Sequence, residues 1–293
     1  MRARGFPVRR PFLPVELFVA LGIALGGLSA VQAGDICLRL DTAGGPITLQ
    51  FARTAAPGTI AAIERLAAGP IYDPGVVPRP EAARSTGYFD GLAFDYTRPH
   101  LEIRLAAREP TAAFTVPTEL DAAALGLDLQ RVADAGEAMN LLQLELLPAI
   151  QRPNSTRRPT PVLEEWARRF ASSGYDASFL VGKSRRELFE AIGYRFTEGL
   201  ASLPALRGAV ALVPASPTES VLSLAILLAD HPTRTGRWMI VGKVVQGLEV
   251  AESIALAPHA VPEAKDNRPL VPTVVRQAEL LTDCPATSGG GSP

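Results

Sequence analysis

Apolar and polar positions alternate every second residue from residue 36 to about 119 and again from about 206. Between these stretches they recur every three or four. Ile36, Leu38 and Leu40 alternate, Gly44-Gly45 supplies a turn, and Ile47, Leu49 and Phe51 alternate again, which predicts a hairpin. A short helix follows. Thr59 is placed to cap it, Ile60, Ile63 and Leu66 share one face, and Gly69 ends it. Residues 70–86 are rich in proline and read as a surface loop. The stretch 87–105, "GYFDGLAFDYTRPHLEIRL", turns at Asp90-Gly91 and runs into the first of two strands expected before Pro117.

The middle of the chain predicts helices over 128–151, 160–173 and 183–203, with a basic, proline-rich link "RPNSTRRPTP" inside it. Strands return at "RGAVALV", "SLAILLAD", "WMIVGKVVQG" and "TVVRQAELL", with a short helix at "GLEVAESIAL". Neither strand-rich half has enough strands to close alone. The expected organisation is therefore mostly β with a helical insertion. One β domain is built from 35–119 and 206–284, with 120–205 inserted in it and a flexible tail over 285–293. The helix around Leu141–Ile150 is apolar almost all round, which predicts burial against the barrel, another chain or a membrane surface. Residues 183–196 place Leu188, Ile192 and Phe196 on one face and Lys183, Arg185 and Arg186 elsewhere. That pattern suits packing on the β domain or lying on a membrane.

Composition narrows the function classes. The chain has 293 residues, 47% hydrophobic and 20% charged, so it can bury a large core, and its net charge of −1 provides no field to attract nucleic acid. Arg2, Arg4, Arg9 and Arg10 precede an apolar run from Leu17 to Val31, and small residues stand at Val31 and Ala33. Residues 1–34 therefore read as a secretory signal cut after Ala33 or as a retained membrane anchor. Both place the rest of the chain on the periplasmic side. The run of 15 residues rises about 22 Å as a helix, short of a bilayer core of roughly 30 Å. Cys37 and Cys284 are the only cysteines; an oxidising compartment would let them pair, and the other reading is two buried thiols. His100, His231 and His259 are scattered and no Cys/His cluster exists, so neither a metal nor a cofactor is expected.

Five ordered pieces, about half the chain, resemble the cyclophilins, a family of peptidyl-prolyl cis/trans isomerases. "DTAGGPITLQFARTAAPGTIAAIERLAAG" matches the family's T-x-x-G-x-I-x-L-x-L-F…A-P-x-T-V-x-N-F-x-x-L, and "YFDGLAF" matches Y-Y-D-G-x-x-F-H-R-V. "VPTEL" matches I-P-x-E, "RGAVALV" matches R-G-x-V-x-M-A, and "WMIVGKVVQGLEVAESI" matches Y-x-V-F-G-K-V-x-x-G-M-D-V-V-D-x-I. The resemblance implies a closed eight-stranded antiparallel barrel capped by two helices. A closed barrel also leaves no strand edge exposed. If Cys37 and Cys284 bond, the first and last strands lie side by side.

Isomerisation about an X-Pro bond must break amide resonance, a barrier of about 18–20 kcal/mol. It calls for an apolar slot that grips the proline ring and a fixed cation that stabilises the twisted amide. In the family the cation is the arginine of F-H-R-V-I-P-x-F-M-x-Q. Laying "FDYTRPHLEIR" on that pattern puts Phe94 and Pro99 in register. The arginine becomes Tyr96, the histidine Asp95, the slot pair Leu101 and Glu102, and the glutamine Arg104. Further on, Ser223 stands for a glutamine, Ala225 for the pocket phenylalanine, and Leu212 and Val213 for slot residues. Trp238 falls where an aromatic or histidine is common.

The resemblance thus implies a peptide groove made of Tyr96, Leu101, Leu212, Val213 and Trp238, in which no catalytic group is retained. Arg98 and Arg104 are the candidate substitutes for the missing cation, since alternation puts Arg98, and Arg104 if no bulge intervenes, on the face of Tyr96. Two function classes follow. One is a cyclophilin-fold pseudoenzyme acting as a scaffold or subunit of a membrane complex, anchored through its N-terminal helix and contacting protein partners or proline-containing segments. The other is an active periplasmic isomerase.

Overall fold

A computed structural model describes residues 35–68, 87–107, 115–151, 159–259 and 267–285. The signal or anchor segment, Gly69 as a helix stop, the loop 70–86, most of the basic link and most of the tail lie outside them. Among the described residues no helix is long and apolar enough to cross a membrane.

Among the described residues nine strands form one antiparallel sheet: β1 (Ile36–Thr42), β2 (Gly45–Phe51), β3 (Ala93–Arg98), β4 (Glu102–Leu105), β5 (Thr115–Pro117), β6 (Ala209–Pro214), β7 (Glu219–Leu227), β8 (Ile240–Gln246) and β9 (Thr273–Leu281). Their order is β4-β3-β9-β1-β2-β8-β6-β7, and pairing of β4 with β7 closes the ring, with β5 continuing along the β7 edge. This is the closed eight-stranded barrel that the cyclophilin resemblance implies. An eight-stranded barrel is just wide enough to be filled by side chains. Here Leu38, Leu40, Leu49, Phe51, Phe94 and Ile103 fill it, fully buried. Two helices, α1 (Pro57–Ala68) and α6 (Leu248–Ala255), add Ile60, Ile63, Ala251 and Ile254 to the same core. Gly242 is a close approach: a Cβ there would sit 2.0 Å from the Gln50 carbonyl oxygen, so β8 can lie against β2 only without a side chain.

Two local expectations change. Thr42 pairs with Gly45, so the first hairpin turns at Ala43-Gly44, one residue earlier than the glycine pair suggests. The Thr42 hydroxyl holds that turn, accepting from Gly44 N and donating to Gly45 O. Thr59 does not cap α1. It is buried within the helix, and its hydroxyl donates to the Met239 sulfur. The cap is the carboxylate of Glu119, which accepts from Gly58 N at 3.0 Å and Thr59 N at 2.8 Å. Glu119 is the acid of "VPTEL", so that motif serves a helix terminus 60 residues upstream.

Cys37 and Cys284 are bridged, their Cα atoms 5.3 Å apart. The strand that holds Cys37 and the one that ends just before Cys284 are neighbours: β9 runs antiparallel to β1, with Cys37 opposite Leu281.

Between the two β halves the described chain is helical, with one isolated bridge, Arg131 to Ser184. The first helix starts seven residues later than its periodicity suggests, because the Asp134 side chain caps α2 (Ala135–Leu141) by accepting from Glu137 N. A π-helical turn, Leu142–Leu146, then leads into α3 (Leu147–Gln151). Pro148 accounts for the widened turn, since its ring would collide with the Leu144 carbonyl in a regular helix. Leu144 is 76% exposed, so the helix is not buried all round. Leu141, Leu142 and Leu146 instead pack on α4 (Pro161–Ser172) through Leu163, Trp166 and Phe170, giving the insertion a core of its own. The third helix is much shorter than expected. A Ser184–Glu187 capping box starts α5 (Arg185–Ala191), and Gly193 at φ 101° ends it. Leu188 joins the insertion core and Phe189 packs with Leu127 and Tyr194. Arg185 faces Glu145, and Arg186 faces Glu190 and Asp128.

Asp121 ties the two roots of the insertion together. Its carboxylate accepts from Ala123, Ala124 and Gly199 amides, and its own amide donates to Ser202 Oγ.

Candidate functional site

The β3–β4 hairpin builds the site. Arg98 faces Glu102, Thr97 faces Ile103 and Tyr96 faces Arg104, but the next pair is Phe94 with Leu105. Asp95 is therefore an extra residue, a bulge, which turns both Asp95 and Tyr96 outward while Thr97 is buried. On its other edge β4 pairs with β7, where Arg104 faces Ala225. Arg104 thus lies between the two positions at which the family pattern puts its arginine and its pocket ring.

Arg104 and Glu102 organise what surrounds them. The Arg104 guanidinium lies 4.1 Å from the centroid of the Tyr96 ring and 5.2 Å from that of Trp238. Its Nη2 donates to Glu102 Oε1 at 2.9 Å. Arg234, from the β7–β8 loop, grips both Glu102 oxygens with its two terminal nitrogens and lies 4.1 Å from the Trp238 ring. The Glu102 side chain is 0% exposed. Burial alone would push its carboxyl up, but hydrogen bonds from Arg234 and Arg104 outweigh it and hold the group below the usual glutamate range. The same loop is fastened again where His231 Nε2 donates to the Leu101 carbonyl at 3.2 Å.

Beside this knot lies a shallow groove of about 330 Å³, lined by Asp95, Tyr96, Arg104, Ser223 and Arg268 with Val213 and Val221 as its aliphatic wall. Burial pushes the Asp95 carboxyl up, against the pull of Arg268 and Arg104. Ser223 Oγ donates to Leu105 O at 2.6 Å. The Tyr96 hydroxyl accepts from Asn267 Nδ2 at 3.3 Å.

The chain is similar to solved cyclophilins. One is a cyclophilin from Hirschia baltica, 12% identical over 85% of this chain and 75% of that one, with a TM-score of 0.40. Another is a cyclophilin-type peptidyl-prolyl cis-trans isomerase from Cryptosporidium parvum, 10% identical over 85% of this chain and 99% of that one, also at 0.40. No family model and no curated protein matches.

The structure gathers only some of the residues that the sequence pattern suggests. Tyr96, Arg104, Val213 and Ser223 share the groove. Leu212 does not, because strand alternation points it into the barrel core, where it is fully buried. Ala225 is sealed in an apolar layer with Ala211, Leu227 and Ile240, edged by Trp238. Leu101 is half-buried at the hairpin turn, and Arg98 is half-buried at the end of β3; neither lines the groove. Sequence reasoning missed Arg234, His231 and Arg268. Nothing local marks them: Arg234 sits in a polar turn, "HPTRTG", whose partner is 132 residues away. Among the described residues no group of acidic, histidine or cysteine side chains could hold a metal.

Proposed function

We propose that this is an extracytoplasmic cyclophilin-fold protein whose isomerase site is eroded, serving as a membrane-associated scaffold or accessory subunit of a protein complex. The barrel topology and the five ordered motif matches support the family reading. One observation carries the erosion: Glu102, at a slot position, is fully buried and gripped by Arg234 and Arg104. A proline ring needs an apolar hollow there. To enter it would have to break a buried ion pair, and removing one partner of such a pair costs about 3–5 kcal/mol. Tyr96 also replaces a cation with a neutral hydroxyl, and loss of one preorganised donor typically costs about 2.7–4 kcal/mol in the transition state. The helical insertion, with its own core, and the hydrophobic N-terminal segment are parts that isomerisation does not need. The bridged cysteines are compatible with an oxidising exported compartment.

The position of Arg104 favours a second reading, an active periplasmic isomerase in which Arg104 has taken over the missing cation's place above Tyr96. A protease-coupled assay on an Ala-Pro peptide separates the two. The first reading expects the uncatalysed rate. Turnover lost on Arg104→Lys but kept in Tyr96→Phe would establish the second.

A further inference from the structure

We propose that the Cys37–Cys284 bridge is a redox latch: a dithiol opens it at Cys284 and releases the chain after Leu281, while the barrel stays closed. Neither cysteine lines the groove beside Tyr96, so the latch works whatever the isomerase slot does.

The two sulfurs sit in unlike places. Cys37 is fully buried inside β1, opposite Gln50 of β2 on one side and Leu281 of β9 on the other. Cys284 is half-buried and belongs to no strand. The β1–β9 ladder ends at the Cys37–Leu281 pair, and Thr282 and Asp283 beyond it are exposed. Among the described residues no backbone hydrogen bond fastens 282–285. The bridge is what holds them, with the Cys284 sulfur 3.7 Å from the Asp35 carbonyl oxygen.

Access decides which sulfur a thiolate attacks. With Cys37 enclosed, that sulfur is Cys284. One thiolate of the dithiol bonds to Cys284 Sγ, the S–S bond breaks, and Cys37 Sγ leaves as a thiolate that takes a proton from water. The second thiolate of the dithiol then displaces Cys284, which is protonated in turn. The dithiol departs as a disulfide, and its two electrons reside on the two cysteines. The strand ladders do not depend on sulfur: β1 pairs with β2 along its whole length and with β9 from Cys37 to Thr42. The bridge spans 247 residues of sequence, and such a cross-link acts mainly on the unfolded chain. Its loss lowers global stability, but locally it leaves only 282–285 without a hold.

Glutathione is the first probe, because a monothiol stops at the mixed disulfide. The oxidised protein is treated with it, quenched in acid, capped with N-ethylmaleimide and mapped as peptides. The adduct is expected on Cys284 in at least about tenfold excess over Cys37. Equal adducts, or an excess on Cys37, would mean that the bridge opens only through unfolding of the barrel, and would overturn the proposal. The second measurement is NMR after full reduction with dithiothreitol. Backbone order parameters at residues 282–284 should fall from rigid values of about 0.85 to below about 0.6. The hydrogen-bonded amides of β1 and β9 should keep their slow exchange. Cys284→Ser should show the same pattern without reductant. Unchanged order parameters, or loss of protection along β1 and β9, would equally overturn the latch.

Discussion

Arg234 reaches across 132 residues of chain to fork both carboxylate oxygens of Glu102, a side chain with no exposure to solvent. A charge so enclosed is tolerated because three guanidinium nitrogens neutralise it, two from Arg234 and one from Arg104. Arg234→Leu leaves the glutamate short of donors and is expected to destabilise the protein by about 3–5 kcal/mol in chemical denaturation. Pairing it with Glu102→Met removes the buried charge as well and should recover most of that loss. A double mutant no more stable than Arg234→Leu alone would show that the pair is not what the site depends on.

The same carboxyl sets a pH dependence. Glu102 and Asp121 both titrate below their ordinary values in the folded protein, Glu102 through Arg234 and Arg104, Asp121 through the amides of Ala124, Gly199 and Ala123. In each case burial opposes the shift and is outweighed. The unfolded chain then binds protons that the folded one does not, so stability rises with pH in this window. Their contribution is complete above the unfolded values of 4.5 for Glu102 and 3.8 for Asp121 and disappears as pH falls through the lower folded values. Denaturation midpoints from pH 6 downward should fall, and the fall should be shallower in Asp121→Asn. A flat profile below pH 5 would contradict both assignments.

Glu119→Ala removes the cap from α1 without emptying the core. Loss of an N-terminal cap typically costs about 1–2 kcal/mol. Hydrogen exchange at the Gly58 and Thr59 amides, which bond to the Glu119 carboxylate, should accelerate more than exchange elsewhere in the barrel. Unchanged protection at those two amides would mean another group caps the helix.

The β7–β8 loop is held from both sides, and Gly236 is where the insertion touches it. A Cβ at Gly236 would lie 2.6 Å from Leu127 Cδ1 and 3.2 Å from Phe189, on a backbone at φ +77°. Gly236→Ala should therefore cost about 1–3 kcal/mol of overpacking and displace the loop that carries Arg234 and Trp238. The chain has two tryptophans, so in a Trp166→Phe background the fluorescence reports Trp238 alone. Its quenching by acrylamide should rise on Gly236→Ala; unchanged quenching would show that the insertion does not set the loop.

Features with local causes were legible in the sequence. The paired strands at 36–51 and the strands at 209–246 declare themselves through alternation, and the Cys37–Cys284 bridge was foreseeable from two cysteines near the two ends of the β domain, one on the first strand and one just beyond the last. Features with distant causes were not. Thr59 has the chemistry of a cap, but Glu119 arrives from 60 residues away with a better acceptor. Leu144 shares its neighbours' hydropathy, yet the widened turn before Pro148 leaves it in solvent. At the site, the positions that replace the family's residues could be read one by one. That they form a closed knot could not, because Arg234 and the Asp95 bulge acquire meaning only once β4, β7 and the β7–β8 loop meet.

On the proposed reading, the knot around Glu102 closes the slot that an isomerase needs. Exchange NMR on an Ala-Pro peptide mixed with an equal amount of protein reads this without a coupled protease. Uncatalysed X-Pro isomerisation takes tens to hundreds of seconds. The closed slot predicts that cis and trans proline signals stay sharp, with no exchange cross-peaks on a mixing time of about a second. Cross-peaks between them, growing with protein concentration, would contradict it.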